Sequence, residues 1–132
     1  MKKLSTNLLS LTILVAGMQA SLCAAEVPWL ETFDTPESFS GFTTIDGNGD
    51  KEEWYYNSHD KCARISYNDD LDMDDWLVTP GFQLTKGAVY KFSIDARNYM
   101  GAERFEVFAG MGNRVVDMTV GVIKATDVNA MK

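Results

Sequence analysis

Cysteine, histidine and positive charge are scarce in this chain, and each scarcity excludes something. There are two cysteines in 132 residues. Cys23 falls in an N-terminal stretch that reads as an export signal, so Cys62 stands alone and no internal disulfide framework can form. His59 is the only histidine, which rules out metal sites built from several imidazoles. Twelve basic residues face 19 acidic ones. So acidic a surface repels phosphate backbones and excludes nucleic acid as a partner. No long amphipathic helix, internal repeat or low-complexity run follows the N-terminal stretch, and there is no linker after residue 30.

The export signal is read from its parts. Lys2 and Lys3 give a positive start, and Leu8 to Met18 form an apolar run broken only by Ser10, Thr12 and Gly17. Small residues follow at Ala20, Ser21, Cys23, Ala24 and Ala25. The run is too short for a stable transmembrane anchor. A Sec-type signal over residues 1–25, cut after Ala24 or Ala25, is expected. A lipoprotein signal modified at Cys23 ranks second, because Leu22 is bulky where such signals carry a small residue. Residues 26–132 then form one small domain, able to bury roughly two-thirds of its unfolded surface. Without Lys2 and Lys3 the formal charge becomes −9. Such a protein is expected to be secreted or held at the cell surface, resting on its apolar core and on any cation it binds. Cys62 reads as a small buried hydrophobe.

The remaining signals are short and β-like. In Val89–Arg97, Tyr90, Phe92, Ile94 and Ala96 point one way and Lys91, Ser93, Asp95 and Arg97 the other, the pattern of an antiparallel strand with one wet face. Weaker strands are expected at Trp54–Tyr56, Ala63–Tyr67, Trp76–Thr79, Arg104–Phe108 and Val115–Val122. Turns are marked at Gly47–Asp50, Asn68–Asp70, Thr79–Gly81, Lys86–Gly87 and Gly110–Asn113. Strands at this spacing predict an all-β sandwich or barrel.

Two acidic stretches carry the chemistry. Asp46, Asn48 and Asp50 alternate with glycines, so three oxygen-bearing side chains can converge from one loop on a calcium ion. The same residues suit an ordinary hairpin turn. Asp69 to Asp75 holds five carboxylates, which serve either a second cation or a solvated loop, with Arg64 and Arg97 as candidate counter-charges. Catalysis finds no support: His59 and Cys62 lie three apart in a turn-to-strand segment without any oxyanion-type glycine motif, so no enzyme is expected. Trp54, Tyr55 and Tyr56, with Tyr67, offer flat rings for sugar stacking, against which stands plain core packing. Trp76 fits the core.

One ordered set of residues resembles a known family. Phe42–Asp50, Trp54, Ala63–Ser66, Asp74–Phe82, Lys91–Arg97 and Glu103–Val107 follow one another as in the cleaved-adhesin or "choice-of-anchor J" type domain, which includes the haemagglutinin/adhesin domains of gingipain-type surface proteases. The resemblance covers about residues 29–109, and its most specific piece is the acidic pair entering Trp76-Leu77-Val78-Thr79-Pro80. It implies an antiparallel β-sandwich of jelly-roll, galactose-binding-like type with structural calcium. Glu31 would join Asp46, Asn48 and Asp50 as ligands, with affinity on the order of 10⁻⁴ M. It also implies a non-catalytic adhesion module that binds an extracellular glycan or protein ligand, for which Trp54, Tyr55 and Tyr56 are the candidate rings on their own chemistry. The alternative is a structural spacer or fragment of a larger secreted protease or surface protein, packed against that protein's other domains or chains. The resemblance stops short of the C-terminus, where no closing strand is expected beyond Val122.

Overall fold

The computed structural model describes residues 24–99 and 102–129; the export-signal reading therefore lies outside the described residues, apart from Ala24 and Ala25. The fold is β-rich with little helix. Among the described residues the one α-helix, α1, is the single turn Pro36–Phe39, opened by a proline at its first position, where the missing N–H costs nothing. Six strands follow: β1 (Thr43–Asp46), β2 (Tyr55–Asn57), β3 (Cys62–Arg64), β4 (Asp75–Val78), β5 (Ala102–Ala109) and β6 (Val120–Asn129). They pair antiparallel as three two-stranded ladders, β1–β4, β2–β3 and β5–β6.

Each ladder has a local reason. The β2–β3 hairpin turns at Asn57, whose side-chain oxygen accepts the N–H groups of His59 and Asp60. In β5–β6, Phe105 faces Thr126 but Val107 faces Ile123, and Phe108 faces Gly121. At each step β6 spends one residue more than β5, so the long strand carries two bulges. Arg104 Nε donates to Asp127 Oδ1 at 3.0 Å across the outer end of this ladder. In β1–β4, Thr43 faces Val78, Ile45 faces Trp76 and Asp46 faces Asp75.

Apolar packing gathers around the first ladder. Val78 is the one buried hydrophobic side chain among the described residues. Phe42, just before β1, meets Trp29, Phe33 and Phe39 at centroid separations of 5.9, 5.3 and 6.0 Å. Trp29 meets Phe82 edge-on at 5.2 Å. Trp76 reaches across to Phe108 of β5 at 5.6 Å. These tilted and offset rings are the favoured geometries for aromatic pairs.

Three strand expectations are corrected. Val89–Arg97, the clearest of them, belongs to none of the three ladders: alternation sorts the side chains onto two faces but does not supply a neighbouring edge. Val115–Asp117 is a 3₁₀ turn, because Arg114 grips Asp117 through two bonds of 2.9 and 3.0 Å and Asp117 N–H closes onto the Arg114 carbonyl. Beyond Val122, where no strand is expected, β6 continues to Asn129.

A charged knot ties the β2–β3 turn to the segment ahead of β5. Asp60 accepts the Tyr99 hydroxyl at 2.6 Å and lies 3.7 Å from Arg97 and 4.0 Å from Arg64, whose guanidinium also sits 4.8 Å over the Tyr99 ring. The Tyr99 hydroxyl, with Arg97, His59 and Arg64, holds the Asp60 carboxyl below its ordinary range.

Two outcomes follow. Phe42→Ala should cost roughly 2 kcal/mol in denaturant unfolding, while Leu84→Ala, at a side chain 53% exposed, should change stability by less than about 0.5 kcal/mol. Asp60→Asn should lower the melting temperature at neutral pH. A depressed carboxyl pKa stabilises above the unfolded value and loses that effect as pH falls through the folded one. The gap between variant and parent melts should therefore close in acid.

Candidate metal centre

The loop after β1 is built by its own side chains. Asp46 Oδ1 accepts the Gly49 N–H at 2.6 Å and Oδ2 the Lys51 N–H at 2.9 Å. Asn48 Oδ1 accepts the Asp50 N–H, and Asp50 Oδ1 the Glu52 N–H. Gly49 sits at φ 80°, where a side chain would be strained. Gly47 is required for a different reason: a Cβ there would lie 2.3 Å from the Asp74 carbonyl oxygen. That closeness lets Gly47 N–H donate to the same carbonyl at 2.8 Å. Asn48 Nδ2 donates to the Asp72 carbonyl at 2.7 Å. The loop is thus laced to the acidic run that leads into β4.

The consequence is a convergence of charge. One carboxylate oxygen each from Asp46, Asp50 and Asp75 lies within 4.8 Å of the other two. Two oxygens held about 2.4 Å from one calcium ion are at most about twice that distance apart, so the spacing suits a shared cation. Asp75 stands out within the group. Both its carboxylate oxygens are buried without a hydrogen-bond donor, while its backbone carbonyl accepts the Trp54 indole N–H at 3.2 Å. Burial, and then the charges of Asp50, Asp46, Asp74 and Glu52, push the Asp75 carboxyl up. Asp46 moves the other way, held down first by the Lys51 N–H and also by the other backbone N–H groups of its loop. A carboxylate surrounded by N–H donors therefore faces one with none.

The expected ligands divide. Asp46 and Asp50 come together. Asn48 lies in the loop, with its amide spent on Asp72, Asp50 and the Asp50 N–H. Glu31 is outside the cluster: its carboxylate accepts the N–H of Phe33 two residues on, in a bend where Phe33 adopts φ 52°. Asp75 is the third carboxylate of the cluster. The arginines expected to offset the acidic run turn to Asp60 instead.

The ring candidates do not form one platform. Trp54 is half-buried with its N–H on Asp75. Tyr55 is 41% exposed, and Tyr56, its neighbour on β2, is half-buried with its hydroxyl donating to the Asp34 carbonyl at 3.4 Å. Successive strand residues face opposite ways, so Tyr55 is the only exposed ring of the three. Tyr67, also exposed, lies beyond β3. His59 is exposed and Cys62 half-buried at the start of β3.

The chain matches no protein-family profile, no curated protein and no solved structure.

In chelator at neutral pH, Asp75→Asn should stabilise the protein by about 1–2 kcal/mol, since an amide there donates to the neighbouring carboxylates instead of repelling them. Denaturant unfolding in EDTA checks this. Equal or lower stability would mean that Asp75 is already compensated.

Proposed function

We propose that this protein is an exported, non-catalytic adhesion or ligand-binding module whose ladders belong to a β-sandwich of jelly-roll type, stabilised by calcium at Asp46, Asp50 and Asp75. The single observation that carries the metal reading is Asp75, whose two buried oxygens lack any donor and sit beside two further carboxylates. Backbone carbonyls of the adjoining acidic run and water would complete the six to eight oxygens calcium takes. The ion would neutralise the cluster and fix the loop against β4, and the chain's own residues would present the ligand surface.

The binding reading rests on exposed rings and on the export-like N-terminus. Tyr55 and Tyr67 are 41% and 60% exposed, and each is an amphipathic plate suited to a sugar face or a protein ligand. No helix among the described residues is long and apolar enough to cross a membrane.

Millimolar calcium should raise the melting temperature over that in EDTA, and Asp75→Asn or Asp46→Asn should abolish the rise. A melt indifferent to calcium sinks the metal reading. A glycan array run with and without calcium separates the module from a spacer: sugar binding lost on Tyr55→Ala supports the module, and binding to nothing under either condition supports the spacer.

A further inference from the structure

The segment from Tyr90 to Ala96 alternates more regularly than any strand in the fold, yet it lies outside all three ladders. Its ends are held. The Tyr90 hydroxyl accepts the Thr85 N–H at 2.9 Å, and Arg97 reaches Asp60. Between them Phe92 is 47% and Ile94 49% exposed, and Lys91, Ser93 and Asp95 are exposed on the other face. A run of this kind presents backbone N–H and C=O groups to an incoming strand.

The arrangement of charge about Ser93 identifies that strand. We propose that Tyr90–Ala96 pairs antiparallel with the same segment of a second copy of this chain, about a two-fold axis through Ser93. Lys91 then faces Asp95 of the second copy, and by symmetry Asp95 faces its Lys91. On the apolar face Phe92 meets Ile94 twice, an aromatic with a β-branched side chain. A slip of one residue sets the apolar face against the polar one. An axis through Phe92 puts Lys91 against Ser93 and breaks both ion pairs. An axis through Ile94 sets Lys91 against Arg97, and one through Asp95 sets that carboxylate against itself. Among in-phase registers close to the centre, only the one through Ser93 matches charge and packing together.

Sedimentation of the full chain over a range of concentrations tests this. The expected result is a reversible dimer. Lys91→Asp or Asp95→Lys alone turns both ion pairs into repulsions and should weaken it by about tenfold or more. The double variant Lys91→Asp/Asp95→Lys should restore it, and mixing the two single variants should yield a mixed dimer. Restoration by the double variant guards against a mere folding defect. In a Cys23→Ser/Cys62→Ser background, Ser93→Cys should cross-link between copies on mild oxidation, because directly opposed residues stand about 5 Å apart. Lys91→Cys should not, its two copies being about 13 Å apart in this register. A chain monomeric at every concentration, a dimer indifferent to both reversals, or equal cross-linking at the two positions overturns the proposal. So does a monomer in which hydrogen exchange shows the segment already protected.

Discussion

The register of β1 against β4 is the constraint on which the rest depends. It sets Asp46 opposite Asp75, an arrangement of like charges that a ladder ordinarily avoids. A slip of two residues would bring Leu77 opposite Asp46, and a slip of one would turn the carboxylates onto different faces. Gly47 guards against both, since its N–H is bonded to the Asp74 carbonyl across a gap no side chain could occupy. The repulsion is therefore built in by backbone geometry and relieved on one side only, where the loop's N–H groups surround Asp46.

Packing works at the other end of the same ladder. Phe42 leads into β1 and Phe82 follows β4, and because Thr43 faces Val78 both lie beyond the end away from Asp46 and Asp75, where the aromatic cluster with Trp29, Phe33 and Phe39 grips the ladder. Trp76 carries the contact onward to Phe108, while its N–H is held by Asp74 Oδ1 at 2.9 Å. The strand that delivers Asp75 to the acidic cluster is the same one that joins β1–β4 to β5–β6. Charge and apolar contact are coupled through four residues of chain. An isolated two-stranded ladder is marginal in water, so such couplings matter more here than within a large sheet.

How far the sequence was legible depended on the range of each interaction. The β-rich class followed from short alternating runs and close-set turns. Asp46 and Asp50 were legible because an Asp-Gly-Asn-Gly-Asp loop organises itself through bonds two to five residues long. Asp75 was visible only as part of an acidic run, since its place beside Asp46 depends on a register between segments far apart in sequence. Glu31 lies outside the acidic cluster for the opposite reason: its carboxylate is taken by a backbone N–H two residues away. The outer half of β6 was hidden by its bulges, which shift the phase so that Ile123 and Val128, both half-buried, are an odd number apart. Val115–Asp117 read as strand because two valines outweighed an arginine–aspartate clamp that only geometry reveals.

The span between Asp46 and Asp75 has a further meaning. About thirty residues separate them, and an ion held by both would close that length of chain as a covalent bridge does, removing freedom from the unfolded ensemble. Unlike a disulfide, the cross-link would be reversible and set by the surrounding ion level. The chain would stay pliable where free calcium is scarce and stiffen where it is plentiful.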